Sequence, residues 1–309
     1  MVKFIDLFSG IGGFRIALEG LGCECVFSSE IDEYSKQTYE ANFDGLIHGD
    51  ITKVDVKDIP SHDILVAGFP CQAFSIAGVS KNNSMGRGHG FEHVKGYLFF
   101  DILRILKSKK PQAFLLENVG NLRHHDKGKS WQIMQDCLTQ LGYSLHWKII
   151  DASLIVPQSR KRIFIVGLRD QSNFEFPNIE QLSTRLGDIL EDQVEEKYTL
   201  KKGTWDYLQA HKIMHKKAGN GFGYSMFNAD SIKTRTLTAR YYKDGSEILI
   251  EQIGKNPRKL TPRECSRLMG FPDDFIIPVS NTRAYQQFGN SVVPGIVEEI
   301  AKKILEVIE

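Results

Sequence analysis

Short apolar runs and helix-period stripes take turns along the first 170 residues. Lys3-Phe4-Ile5-Asp6-Leu7-Phe8 reads as a buried strand, and Ser9-Gly10-Ile11-Gly12-Gly13 as a glycine turn. Residues 14–21 then space their apolar side chains as a short helix does. A second strand is expected at 24–29, ending at Glu30, followed by a helix over 34–42. Further strands are expected at 64–67, 113–116, 145–150 and 163–168, with helices at 98–106 and 131–141 between them. Strand–helix alternation of this kind predicts an α/β fold with a doubly wound sheet. After Phe176-Pro177 the alternation fades, and Gly203, Gly219, Gly221, Gly223 and Gly245 punctuate a polar, aromatic and basic stretch. The pattern resumes with a helix at 262–268 and a closing helix at 294–308, where Ile296, Ile300, Ile304 and Ile308 form one apolar stripe. The expected organisation is a catalytic and ligand-binding domain over 1–187, completed by 257–309, with a small domain over 188–256 inserted between them.

Charge sharpens that division. The chain of 309 residues carries a net charge of only +1, which does not advertise a polyanion partner. Between Lys201 and Arg263, however, thirteen Lys and Arg face five acids, so this segment is +8 and the rest is −7. An imbalance across a whole inserted segment points to a polyanion such as nucleic acid. Composition otherwise fits a soluble globular chain, with 41% hydrophobic and 25% charged residues. No apolar run reaches the roughly 18 residues that a membrane span needs. Met1-Val2-Lys3-Phe4 leads straight into the first strand, so no signal peptide is read and a cytoplasmic location is expected. The five cysteines, 23, 25, 71, 137 and 265, fit neither zinc knuckles nor a disulfide framework, and neither they nor the neighbours His124 and His125 suggest a metal site.

Candidate chemistry gathers at the predicted strand ends. Gly68-Phe69-Pro70-Cys71-Gln72 follows the apolar run 64–67, so Cys71 falls at the carboxyl edge of the sheet, where open α/β sheets hold ligands. A thiol there is a candidate nucleophile. Glu117-Asn118-Val119 and Gln158-Ser159-Arg160-Lys161-Arg162 bring a carboxyl and two guanidiniums to the end or side of other strands. The turn 8–13 lets backbone approach a ligand closely and leads into a helix N-terminus. Arg15 stands where the full dinucleotide fingerprint needs its third glycine, which argues against a pyrophosphate. Glu30, at the end of the second strand, can accept from ribose hydroxyls, and Asp50 in Gly49-Asp50-Ile51 can accept from an adenine amino group. Together these suggest an adenosine-containing ligand without a pyrophosphate.

The motifs Asp6-Leu7-Phe8-Ser9-Gly10-Ile11-Gly12-Gly13, Gly68-Phe69-Pro70-Cys71-Gln72, Glu117-Asn118-Val119, Gln158-x-Arg160-x-Arg162 and Gln287-Phe288-Gly289-Asn290-Ser291-Val292 occur in this order. With them the chain resembles, almost end to end, the bacterial DNA (cytosine-5) methyltransferases, and most of all the Dcm-type enzymes. The resemblance implies a Rossmann-like sheet, S-adenosylmethionine as cofactor and double-stranded DNA as partner. It assigns cofactor binding to Phe8, Gly10, Ile11, Gly12, Gly13, Glu30, Ile31, Asp50, Ile51, Gly68, Pro70, Leu98, Asn290 and Ser291. Cys71 would add to C6 of cytosine and push electron density onto C5. Glu117 would hold or protonate N3. Arg160 would hold the base and keep the thiolate charged, and Arg162 would brace this layer. A stacked base is out of reach of such a site, so the target must flip out of the duplex.

For DNA contacts the expected residues are Gln72, Ser75, Arg87 and Lys95 in the long loop after Cys71, with Arg235, Arg240 and Lys243 in the basic segment. Lys95-Gly96-Tyr97 stands where most of the family has Arg-Gly-Thr, and lysine lacks the bidentate fork. The loop and the stretches 219–224 and 234–245 are similar to Dcm-type enzymes, which implies a CCWGG or CCNGG target; the other reading of this stretch is a β-hairpin scaffold with the base readers elsewhere in the small domain. An RNA (tRNA) cytosine-5 methyltransferase on the same fold is one alternative, and a catalytically silent DNA-binding regulator another. A partner restriction endonuclease is compatible with the reading, and one active site per chain makes a monomer the expected state.

Overall fold

The computed structural model describes residues 1–70, 98–169 and 173–308. Seven strands form one sheet: β1 Lys3–Leu7, β2 Glu24–Ser29, β3 Ile47–His48, β4 Ile64–Gly68, β5 Ala113–Val119, β6 Ser144–Asp151 and β7 Lys161–Leu168. Their spatial order is β3-β2-β1-β4-β5-β7-β6, parallel except that β7 runs antiparallel to both of its neighbours. Strand order reverses between β1 and β4, and this switch point leaves a crevice beyond the strand ends.

Side-chain alternation on the buried strands builds two cores, one on each face. Phe4, Ile64, Val66, Ala113, Leu115, Phe164 and Val166 point to one face, where α1 (Gly13–Gly20) and α8 (Pro294–Ile308) pack on each other. Ile5, Leu65, Ala67, Phe114, Leu116, Ile163 and Ile165 point to the other, beneath α3 (Leu98–Lys109) and α4 (Lys129–Gln140). The isoleucine stripe of α8 delivers Ile296, Ile300 and Ile304 to the first core, while Ile308 packs at its margin. α2 (Glu33–Glu40) starts at Asp32, whose carboxylate accepts from Ser35 N. This is the side-chain cap expected at a helix N-terminus.

The basic segment differs from the expected separate unit in how it is packed. Leu237, Tyr241, Ile248 and Ile250 belong to the same apolar core as the sheet's first face, and only Leu200, Leu208 and Leu249 form a small cluster of their own. It contains the helix α5 (Lys202–Lys217) and a parallel pair of two-residue strands, β8 Met226–Phe227 and β9 Leu249–Ile250. Residues 234–245 are not a hairpin: Thr234 bridges to Gln158, and the chain then turns through 239–244. Beyond it, α6 (Pro262–Leu268) begins with a capping box between Thr261 and Glu264. Glu264, fully buried, also pairs with Arg258 at 2.7 Å. α7 (Asn281–Asn290) returns the chain to the crevice.

Candidate active site

The crevice holds a cavity of about 660 Å³. Its lining brings together Phe8, Gly10, Ile11, Gly13, Glu30, Ile31, Gly68, Pro70, Leu98, Glu117, Arg160, Arg162, Asn290 and Ser291, all anticipated from the motifs. Cys71, Gln72, Ser75, Arg87 and Lys95 lie outside the described residues. Pro70, the residue before Cys71, stands on the cavity wall.

One side of the cavity is a backbone construction. Phe8 and Gly10 adopt left-handed φ of 56° and 55°, and Gly12 one of 85°, folding the chain sharply after β1. Gly12 does not line the cavity; a Cβ there would run into the Phe43 ring, so its role is to let the turn press against α2's trailing loop. A left-handed bulky residue such as Phe8 is strained, and such strain persists where surroundings over-determine it. Glu30 locks this side. Its Oε2 accepts from Gly10 N at 2.9 Å, and its Oε1 accepts from Ile31 N and Asp32 N at 2.8 Å each. A carboxylate offers about four acceptor positions, so at least one remains open to the cavity.

Asp50 and Ile51 are not part of the lining, contrary to expectation. The Asp50 carboxylate caps a short turn, accepting from Thr52 N at 3.0 Å and Thr52 Oγ1 at 2.7 Å, and those bonds hold it below the usual carboxylate range. Ile51 is buried in the core. Both Thr52 bonds fall on Asp50 Oδ1, while Oδ2 lies 3.7 Å from Lys53 Nζ.

The opposite side is built from side chains on the antiparallel pair β5–β7. Phe164 lies across from Glu117 and Arg162 across from Val119, so Glu117 and Arg162 are diagonal neighbours on one face. Arg162 Nε meets Glu117 Oε1 at 3.0 Å, with both side chains largely buried. Burial pushes the Glu117 carboxyl up, against the lowering influence of Arg162 and then Arg160. Asn118, on the other face, donates from Nδ2 to Phe69 O at 2.9 Å and so fixes the chain immediately ahead of Pro70.

The two arginines, both in the cavity lining, are held in different ways. Arg160 is 2% exposed and its guanidinium donates to the carbonyls of Leu237, Gly289 and Ser291 at 2.9, 3.1 and 2.6 Å. Burial and then the like charge of Arg162 pull its pKa down to about 9, against the raising influence of Glu117. Arg160 braces the structure, and Arg162 is the guanidinium that stands beside the acid.

Arg235, Arg240 and Lys243 are exposed, and Arg240 directly follows Ala239, which lines the cavity. Sequence reading missed Asp32, Ser35, Ala239, Arg283 and Gln286 in the lining. Arg283 and Gln286, on α7, lie just ahead of the motif that starts at Gln287, and extending that motif back by one helical turn would have found them. Arg283 sits 4.0 Å over the Tyr34 ring, joining α7 to α2 at the rim.

A sheet of this topology with a glycine turn, a ribose-compatible carboxylate and a buried Glu–Arg pair at its switch point defines an α/β methyltransferase architecture. The chain belongs to the family described as C-5 cytosine-specific DNA methylase, which matches residues 2–306, and it is a DNA (cytosine-5) methyltransferase. It is 53% identical over 313 residues to the type II methyltransferase M.DsaV of Dactylococcopsis salina, covering 100% of this chain and 87% of that one. It is 44% identical over 362 residues to the DNA-cytosine methyltransferase of Escherichia coli K12, covering 97% and 76%. The solved Entamoeba histolytica methyltransferase EhMeth has the same fold, with a TM-score of 0.79 at 20% identity over 100% and 99% of the two chains. Among the described residues no helix is long and apolar enough to cross a membrane.

Proposed function

We propose that this enzyme methylates C5 of a cytosine flipped out of a specific duplex site, through a covalent bond from Cys71 to C6, with S-adenosylmethionine as the donor. The observation that carries the reading is the meeting, in one cavity, of the Glu117–Arg162 pair, the Glu30-locked glycine turn and Pro70. The residues present fit the donor. Glu30 keeps an acceptor position for a ribose hydroxyl, the exposed apolar Ile31 offers a flat contact for a purine, and Asn290 and Ser291 close the far wall. When bound, the donor supplies an electrophilic methyl group.

The chain's own residues make cytosine able to accept it. The Cys71 thiolate forms a bond to C6, and the electron pair of the C5–C6 double bond moves toward N3, making C5 nucleophilic. Glu117, whose carboxyl burial pushes up, supplies the proton or hydrogen bond at N3. Arg162, charged and 3.0 Å from Glu117, orients that carboxyl and offers further donors to the base. Loss of the C5 proton after transfer restores the double bond and expels the thiolate.

The basic segment 188–256 serves target recognition, with Arg235, Arg240 and Lys243 presented beside the cavity to base edges or phosphates. The similarity of its sequence to Dcm-type enzymes supports CCWGG or CCNGG as the target. The printed designation of relatives such as M.DsaV as type II methyltransferases supports a pairing with a restriction endonuclease. The deciding experiment is tritiated methyl transfer to a CCTGG duplex, against a duplex carrying 5-methylcytosine at the inner position on both strands. Label in the first alone is expected. Label only on bulk genomic DNA overturns the site, and label on transfer RNA alone overturns the DNA reading.

A further inference from the structure

Between the basic segment and the cavity wall lies a buried polar joint, in which both terminal nitrogens of Arg160 are bonded and only its Nε has no partner. Arg160 Nη1 donates to Leu237 O at 2.9 Å, in the stretch that carries Arg235 and Arg240. Its Nη2 donates to Gly289 O and Ser291 O at 3.1 and 2.6 Å, on either side of the cavity residue Asn290. Gln158, 0% exposed and two residues ahead of Arg160, grips the same stretch: its Oε1 accepts from Leu237 N at 2.8 Å while its Nε2 donates to Leu268 O at 3.2 Å. Thr236 Oγ1 donates to Ser159 O at 2.6 Å.

Packing removes the slack that hydrogen bonds alone would leave. Gly289 lies so close to the Thr238–Ala239 backbone that a Cβ would overlap it. On the far side, a Cβ at Gly13 would come within 2.8 Å of Val292 Cγ2 and 3.0 Å of Ser291 Oγ. The stretch 237–239 therefore packs backbone against backbone on Gly289, the side chains of Ser291 and Val292 pack on the glycine turn, and Arg160 bonds to both the first stretch and residues 289–291. A close-packed interior transmits a displacement instead of absorbing it. A shift of Leu237 must carry the Gly289 and Ser291 carbonyls with it or leave a buried guanidinium unpaired, which is costly.

We propose that Arg160 is a positioning residue that couples the seating of duplex DNA on residues 234–243 to the cavity wall at 289–291, so that duplex and methyl donor each tighten the binding of the other. This rests on the functional reading above. The coupling is a free energy shared by two sites and is therefore reciprocal. A lysine at 160 would keep the charge and lose the planar fork that spans three carbonyls.

The test is calorimetric titration of S-adenosylhomocysteine, the demethylated donor, with and without the duplex that the methyl-transfer assay accepts. For the unaltered chain the duplex is expected to tighten binding by about tenfold, within the usual range of such couplings. In Arg160→Lys the ratio should fall to within about twofold of one, with a smaller change in either affinity alone. A folded Arg160→Lys protein that keeps the full ratio overturns the proposal, as does a ratio of one in the unaltered chain. Should that variant fail to fold, hydrogen exchange on the unaltered chain decides: S-adenosylhomocysteine should slow the amides of 234–239. Protection confined to 9–13 overturns it. A chain that methylates DNA without coupling loses this proposal only, whereas a chain that binds neither ligand and transfers no methyl loses the functional reading and the proposal together.

Discussion

The two sides of the cavity are assembled on different principles. The glycine-turn side comes from two contiguous stretches, 8–13 and 30–32, and its shape is set by backbone dihedrals and by N–H groups converging on Glu30. The Glu117–Arg162 side is made of side chains on two antiparallel strands, backed by carbonyls of residues 237, 289 and 291 that arrive from far along the chain. The hydrogen bonds that shape the first side are local to the ends of β1 and β2. The second exists only when the whole chain has folded. The difference predicts where binding and chemistry can be separated: damage to the turn should weaken donor binding, and damage opposite should stop turnover or loosen the fold.

The largest effect should come from the nucleophile. Cys71→Ser is expected to reduce turnover by at least about 10³-fold while donor affinity is retained, since an activated nucleophile carries a large share of such chemistry. Methyl-transfer rates and donor titration check both halves, and retained full activity would overturn the covalent route. Glu117→Gln should lower turnover by roughly 10²-fold, the scale of one positioned acid. Burial raises the Glu117 pKa, so its acid form survives to higher pH than an ordinary carboxyl would allow. Activity of the unaltered enzyme should therefore fall on the alkaline side as this proton is lost, and the Gln variant, which cannot titrate there, should lack that limb. The stability contribution has the same sign: it is full below the unfolded carboxyl range and is lost as pH rises through the raised folded value.

Gly289→Ala tests the joint between the two sides. Its Cβ has no room beside Thr238 and Ala239, so the variant should lose about 3 kcal/mol of stability, measured by chemical or thermal unfolding. A variant as stable as the parent would mean that the two segments can separate. Glu30→Gln sharpens the local side: one charge-assisted acceptor lost should weaken donor binding by about tenfold with turnover at saturation little changed. An equal loss in turnover would place Glu30 in the chemistry instead.

Legibility followed the same division. β2, the helix 262–268 and the helix 294–308 match their expected bounds; the first helix is marked by Thr261 and Pro262 at its start, and the second carries an isoleucine stripe behind Pro294. α5 went unread since only Leu208 of its sixteen residues is buried, leaving no stripe to detect. α7 was missed for a related reason, its apolar side chains being confined to Ala284, Tyr285 and Phe288. The glycine turn and Glu30 were readable because their meeting follows from local spacing at the ends of β1 and β2. The Thr52 bonds of Asp50 were not, because spacing locates a carboxylate after a strand but not the partners it takes.

By itself the sequence determined the alternation that makes the doubly wound sheet, the motifs that bring a carboxyl and two guanidiniums to the cavity at its edge, and the basic charge of the inserted segment. These are properties of residue type and short-range order. The tertiary structure decided which arginine stands beside Glu117, because strand register puts Arg162 diagonal to that acid and leaves Arg160 among three carbonyls. It also decided that the basic segment shares a core with the sheet. Both outcomes depend on pairings between residues tens to more than a hundred positions apart, and such pairings are fixed only when packing and hydrogen bonding are satisfied together.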